Sequence, residues 1–201
     1  MKNLILKMTA SKWNYYLSLV ADGMTGLVFL ILSFRTTDDL WASCALFIVG
    51  VVSFSFVEYA VHAWLFHKNH FLKIFIEGHA HHHQNPFGYD ALPFFASALM
   101  AFLGVELLSP IMPQRDAFAL IGGLAMGYFN YGLTHHLMHR REFTLPYYRY
   151  LQQFHFVHHK KPRKNHGMTT DIFDRIFDTY YQWDEADLKG IEQLKKIKTK
   201  H

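Results

Sequence analysis

The chain has 201 residues, of which 51% are hydrophobic, 17% aromatic and only 18% charged, and its formal net charge is +4. A soluble domain carries charge on about a quarter of its residues, so this composition favours a membrane protein, which we take as one domain over residues 1–201. The single cysteine, Cys44, excludes an intramolecular disulfide and a cysteine-based zinc site. The 15 histidines are the unusual feature of the composition.

Four apolar stretches approach the length of about 20 residues that a membrane-spanning helix needs. They comprise residues 16–34, 40–57, 91–109 and 117–134. We therefore predict an all-α integral membrane protein with four transmembrane helices in two hairpins. Three glycines in the fourth stretch, Gly122, Gly123 and Gly127, predict that its helix approaches a neighbour closely.

The distribution of positive charge predicts the orientation in the membrane. Lysine and arginine collect on the cytoplasmic side of membrane proteins. Arg35 and Arg115 are the two basic residues in the loops within the hairpins, and the other 18 of 20 lie elsewhere. Both chain termini and residues 58–90 should therefore face the cytoplasm. We expect residues 58–90 and 135–201 to form a helical cap there.

Twelve of the histidines occur in four clusters, all at the predicted cytoplasmic face. Residues three or four positions apart share one face of a helix, and three clusters contain such sets. In the remaining cluster, His62 and His67 are about 140° apart on an ideal α-helix, so they straddle a site or need a helix end or a π-bulge between them. The candidate metal ligands are His62, His67, His79, His82, His83, His135, His139, His155, His158 and His159. His81 and His136 fall off these faces, and we predict that they do not bind metal.

Ten imidazoles are too many for one metal ion, whereas two ions with about five nitrogens each would use them all. Zinc sites are usually four-coordinate, so the number of ligands favours two iron ions. We predict no catalytic residue beyond the metal ligands and no other cofactor-binding residue. The nearest candidate acceptors for the imidazole N–H groups are Glu58, Glu77, Asp171 and Asp174. The histidines interpreted as ordinary surface or core side chains are His70, His166 and His201.

With this set of histidines the chain resembles the fatty acid hydroxylase superfamily of integral-membrane di-iron enzymes, and within it the fatty acid 2-hydroxylase branch. The resemblance covers roughly residues 50–181. It rests on the segments EYAVHAWLFH (58–67), EGHAHHHQNPF (77–87), GYFNYGLTHHLMH (127–139) and NHGMTTDIFDRIFDTYY (165–181). It implies a cytoplasmic cap over two iron ions and O2-dependent hydroxylation of a lipid acyl chain. It also implies that zinc can stand in place of iron in crystals.

The chain departs from that branch in one respect. Many eukaryotic members carry an N-terminal cytochrome b5 domain, for which this chain has no room before its first predicted span. The expected partners are therefore the membrane, a lipid or fatty acyl substrate, and a separate electron-transfer protein of cytochrome b5 or ferredoxin type. This departure favours a bacterial inner membrane over the endoplasmic reticulum. No nucleic acid partner is expected.

Three other functions stay open. A carotenoid hydroxylase, or another lipid hydroxylase or desaturase of the same superfamily, would use a similar histidine set. However, the carotenoid enzymes show His-x4-His where His135 and His139 are spaced His-x3-His. A haem-binding membrane electron carrier needs histidine pairs within the spans, which are nearly free of histidine. A metal transporter needs ionisable residues along the spans, and only Asp22 and Glu106 occur there.

Overall fold

The computed structural model describes residues 8–35, 39–68 and 73–189. The described residues form helices and connecting segments without a β-strand, which confirms the predicted all-α class. The α-helices that lie wholly within the described residues are α1 (Lys12–Arg35), α2 (Leu40–Ala60), α3 (Lys73–Gln84), α4 (Ala96–Leu108), α5 (Gln114–Arg140), α6 (Pro146–Lys160) and α7 (Ile172–Ile176), and a π-helix covers Val61–Phe66. The last part of the predicted cap, from residue 190 onwards, lies outside the described residues, as do His70 and His201.

The chain divides into two compact units. The first unit comprises Met1–Phe54 and Gly88–Leu133, and the second comprises Ser55–Phe87 and Thr134–His201. All ten candidate metal ligands fall within the second unit.

Two helical stretches of the described residues, Lys12–Arg35 and Leu40–Phe66, are long and apolar enough to cross a membrane. The predicted spans 16–34 and 40–57 lie within them. Only 28% and 17% of the residues in their most apolar stretches are buried, whereas the core helix of a soluble protein would bury most of them. Helix α1 buries polar side chains and exposes apolar ones, the opposite of a helix in a soluble protein, since Ser18 and Asp22 are buried while Val20 is exposed. Such a helix suits a lipid environment.

In the third predicted span, residues 91–109, the helix begins only at Ala96. Helix α4 has 13 residues and is therefore about 20 Å long, which is less than the roughly 30 Å of a bilayer core. The side chain of Asn14 donates to the carbonyl oxygen of Leu92 over 2.9 Å and accepts the N–H of Phe94 over 3.0 Å. These contacts, together with Pro93, keep the preceding segment outside the helix.

The fourth predicted span, residues 117–134, lies inside the 27-residue helix α5. That helix is long enough to cross a bilayer, but it is less apolar than α1 and α2. The third and fourth spans therefore stay predictions.

Glycines bring the backbones of α2 and α5 into contact in the first unit. A Cβ atom on Gly50 would lie 2.2 Å from the carbonyl oxygen of Leu120, and one on Gly123 would lie 2.1 Å from that of Phe47. Only a residue without a side chain fits either position. The close approach that the sequence predicts for this part of α5 is confirmed.

The second unit is held together by polar side chains that bind backbone groups. Gln152 of α6 donates to the carbonyl oxygens of Met138 and Arg141, over 2.6 and 2.7 Å. Arg140 donates to the carbonyl oxygen of Phe87 over 2.7 Å. The end of α5 is thereby fixed to α6 and to the segment that follows α3, which are the elements that carry most of the histidines.

Candidate metal centre

The π-helix brings the first two histidines together. On an α-helix, a spacing of five would turn His62 and His67 away from each other. The π-helical stretch Val61–Phe66 widens the turn, and the centroids of the two rings lie 5.3 Å apart. Of the arrangements that the sequence allows for His62 and His67, the structure shows the π-helical one.

The other eight histidines come from α3, α5 and α6. In α5, His135 and His139 occupy the last turns before the helix ends at Arg140. Helix α6 begins at Pro146, where proline suits the first turn, and carries its three histidines along a buried face. Helix α3 carries its three at its C-terminal end.

The ten nitrogens separate into two groups of five, and within each group all the candidate ligand atoms lie within 4.8 Å of one another. We call these the first and the second histidine group. The first group is His62, His67, His79, His83 and His158. The second group is His82, His135, His139, His155 and His159. The ten histidines that the spacing selects are thus the ten that the fold collects.

Neighbouring Nε2 atoms within each group are at ligand-like distances. In the first group, His79 Nε2 lies 3.1, 3.0 and 2.9 Å from the Nε2 atoms of His62, His67 and His83. In the second group, successive Nε2···Nε2 distances through His82, His135, His139, His155 and His159 are 2.9, 3.2, 2.8 and 3.0 Å. Two nitrogens at right angles about an ion, each about 2.1 Å from it, lie about 3.0 Å apart. Both groups therefore fit a metal ion.

Burial keeps these imidazoles in the form that binds metal. Removal from water, with a smaller effect of neighbouring histidines, lowers the pKa of His82 to about 3 and that of His159 to about 2. The same causes lower the pKa of His67 to about 4, and burial lowers the pKa of His79, His155 and His158 as well. These rings are neutral at pH 7 and offer a lone pair to a cation.

Backbone carbonyl groups orient two rings of the first group. The Nδ1–H of His62 donates to the carbonyl oxygen of His166 over 2.5 Å, and the Nδ1–H of His158 donates to that of Lys164 over 2.8 Å. Because a neutral imidazole carries one proton, each Nε2 then has a free lone pair that faces the group.

The predicted carboxylate acceptors act differently. Glu58 and Asp174 are buried, but both accept backbone N–H groups of the segment after α6 rather than imidazole N–H groups of the ten histidines. Asp171 accepts from Tyr150 and Arg175. Glu77 is exposed in α3.

Three histidines of the described residues lie outside both groups. His81 is exposed and His136 is buried, and the spacing places neither on a ligand face. The sequence predicts an ordinary side chain for His166, yet its ring is 1% exposed and its centroid lies 5.4 Å from those of His67 and His158. As a single histidine in a non-helical segment, it has no spacing pattern that could have revealed this position.

Comparison with known proteins agrees with this geometry. The family described as "Fatty acid hydroxylase" matches residues 47–179, which is more than half of the chain and includes all ten grouped histidines. The chain therefore belongs to the fatty acid hydroxylase family.

Two of the curated relatives are about 30% identical to this chain. The chain is 31% identical to "Fatty acid 2-hydroxylase" of Rattus norvegicus, over 88% of this chain and 50% of that protein. It is 30% identical to "Dihydroceramide fatty acyl 2-hydroxylase FAH2" of Arabidopsis thaliana, over 65% of this chain and 58% of that protein. The chain thus spans about half the length of the curated relatives that it matches.

A solved structure shows the same fold. In full-length scs7p only the hydroxylase domain is visible, and it superposes with a TM-score of 0.75 over 88% of this chain and 69% of that chain. The sequence identity is 24%.

Proposed function

We propose that the two histidine groups bind two iron ions and that the protein uses them to hydroxylate the acyl chain of a lipid with O2. The observation that carries this proposal is the convergence of ten buried or half-buried imidazoles into two sets of five. Ten nitrogen ligands exceed what two structural zinc sites use, and imidazole is a good ligand for iron. A pair of iron ions, when bound, supplies the reduction of O2 that attack on an unactivated C–H bond requires.

Other residues of this chain orient the metal ligands and keep them buried. The first group is oriented through the carbonyl groups of His166 and Lys164, and the second through the attachment of α5 to α6 by Gln152. Burial excludes water from most of these rings, so that they stay neutral and bind the ions without competing protons. No residue beyond the metal ligands is assigned a direct role in the reaction.

The lipid substrate is proposed from membrane features and from the relatives. Trp13 and Trp41, which are 80% and 86% exposed, stand at the start of the two apolar helices, and tryptophan favours the boundary between membrane and water. We propose that α4 and α5 complete four membrane spans and that the histidine groups face the cytoplasm, as the lysine and arginine distribution predicts. The names of the relatives indicate a fatty acyl or ceramide substrate and hydroxylation at carbon 2.

Hydroxylation with O2 consumes two electrons, and none of the ten imidazoles can provide them. We therefore propose a separate electron-transfer protein of cytochrome b5 or ferredoxin type as the donor. The proposed location is the inner membrane of a bacterium.

Mass spectrometry of whole-cell lipids tests the proposal. Cells that express the chain should contain acyl lipids with one additional oxygen atom that cells with an empty vector lack, and fragmentation should place the hydroxyl group at carbon 2. A hydroxyl group at another position would overturn the assignment of carbon 2 but not the reaction. Identical lipids in both cell lines, with the protein present and loaded with metal, would contradict the proposed function.

A further inference from the structure

The backbone turn Lys164–Gly167 holds the first histidine group from one side. Its carbonyl groups at Lys164 and His166 accept the Nδ1–H groups of His158 and His62. These two histidines come from different helices, α6 and the π-helix, so one short turn fixes the relative orientation of two elements. We call residues 164–167 the carbonyl bracket.

Asn165 gives the bracket its shape. It lies between the two accepting carbonyl groups and has a φ angle of 59°, a left-handed conformation that asparagine adopts more readily than most residues. Its side chain donates to the carbonyl oxygen of Tyr181 over 3.0 Å and accepts the N–H of Tyr181 over 2.7 Å. These two hydrogen bonds hold Asn165 in its left-handed conformation. In that conformation the carbonyl groups of Lys164 and His166 face two different rings.

Asp174 holds the bracket from behind. This carboxylate is fully buried and accepts the N–H groups of His166 and Gly167 over 2.8 and 2.7 Å, and the hydroxyl group of Thr179 over 2.6 Å. Hydrogen bonds to an ionised carboxylate are stronger than those between neutral groups. A Cβ atom on Gly167 would lie 2.0 Å from the carbonyl oxygen of Thr170, so the turn has no space in which to shift.

Glu58 extends this support to the helix that precedes His62. It accepts the N–H groups of Met168 and Thr169, and the hydroxyl group of Thr169 over 2.7 Å. Glu58 precedes His62 by four residues. The two residues that directly follow the bracket are therefore fixed to the same stretch of chain as His62, one of the rings that the bracket orients.

We propose that Asn165 and Asp174 are positioning residues that set the metal affinity of the first histidine group without setting that of the second. Both carbonyl groups of the bracket accept from first-group rings. Asp174 accepts the N–H of Gly167, which shares a peptide unit with the carbonyl group of His166, and the N–H of His166 in the same turn. Loss of a group that orients a metal ligand typically costs about 10-fold to 100-fold in metal affinity. This inference rests on the proposal that the histidines bind metal, but not on the reaction or its substrate.

Variants of the 201-residue chain in detergent, each with one altered histidine group, separate the two sites. His82→Ala leaves the first group intact and His83→Ala leaves the second intact. In each background, Zn2+ affinity is measured by competition with a chelator, with and without Asp174→Asn. We expect Asp174→Asn to weaken Zn2+ binding about 10-fold to 100-fold in the His82→Ala background and less than about 3-fold in the His83→Ala background.

Asp171→Asn is the matched control, because Asp171 contacts Tyr150 and Arg175 outside the bracket. Asn165→Gly is the second variant, since glycine keeps the left-handed conformation and removes only the side-chain bonds to Tyr181. It should reproduce the effect of Asp174→Asn. Equal weakening in both backgrounds, no weakening in the first group, or failure of both variants to give a monodisperse protein would overturn the inference. Absence of lipid hydroxylation by the wild-type chain would leave these affinities unaffected.

Discussion

His82 and His83 are consecutive residues of helix α3, yet their Nε2 atoms belong to different histidine groups. The centroids of their rings lie 6.3 Å apart at an angle of 80°. Two consecutive histidines of helix α6 are divided in the same way but in the opposite order, because His158 belongs to the first group and His159 to the second. Each of these two helices therefore contributes to both groups, two residues to one and a single residue to the other.

This division predicts the metal content of single variants. We expect His82→Ala to weaken iron binding in the second group and His83→Ala to weaken it in the first, because each removes one of five nitrogens and leaves the other group whole. After a chelator challenge, elemental analysis of the purified protein should give about one iron ion per chain in each variant and about two in the wild type. Hydroxylation should be lost in both variants and in His158→Ala, with little change in the helical circular dichroism signal. Two bound ions in both alanine variants would refute the division into groups.

The histidines outside the groups provide the contrasting prediction. His81→Ala and His136→Ala should keep two metal ions per chain and most of the hydroxylation product, since neither residue belongs to a group. His136 is buried, so a loss of stability of about 1 kcal/mol is expected for that variant. Elemental analysis and lipid mass spectrometry check both. A fall to one ion in either variant would make that histidine a ligand.

Removal of metal should destabilise the second unit of the chain. Within each group the Nε2 atoms lie about 3 Å apart, as between His139 and His155 at 2.8 Å, so a bound cation adds interactions with five nitrogens at once. A ligand that binds the folded state contributes about 2.7 kcal/mol at 100 times its dissociation constant. Thermal unfolding followed by circular dichroism should shift down by several degrees after treatment with a chelator and recover when Fe2+ or Zn2+ is added. An unchanged transition would contradict a metal-stabilised fold.

The contact between α2 and α5 predicts a severe effect of a single methyl group. Gly123→Ala should destabilise the protein by about 3 kcal/mol or more, because its Cβ atom would overlap the backbone of Phe47. Gly132→Ala in the same helix is the control, since its Cβ atom would meet only the end of the Leu19 side chain, at 3.2 Å. Thermal unfolding in detergent measures both. Equal stability of the two variants would show that the helices can separate at this point.

The proposed orientation predicts which positions are reached from outside the cell. In a Cys44→Ser background, Ile111→Cys should react with a membrane-impermeant maleimide in sealed right-side-out vesicles, because Ile111 is 77% exposed in the predicted external loop. Glu185→Cys should react only after the vesicles are opened. The opposite pattern of labelling would place the histidine groups on the outer face.

The sequence predicts more of the candidate metal site than of the fold. A spacing of three or four selects eight of the ten candidate histidines, because a helix brings such residues onto one side. His62 and His67 are five apart and need the π-helix. The same reasoning could not divide the ten histidines, since His82 and His83 differ by only 100° on the helix and the division depends on which partners α5 and α6 present.

Contacts distant in sequence account for what the sequence did not reveal. The late start of α4 depends on Asn14, some 80 residues earlier. The position of His166 depends on Asp174, and on Tyr59, whose ring centroid lies 5.9 Å from its own. No local pattern encodes either contact.

Growth under 18O2 gas tests the central claim most directly, since oxygen insertion at the two histidine groups must draw its oxygen atom from O2. Cells that express the wild-type chain should contain hydroxylated acyl lipids in which the new oxygen atom is 18O. Cells that express the His82→Ala,His83→Ala double variant at the same level should contain none of this product. Product that carries oxygen from water, or equal labelled product from the double variant, would contradict the account.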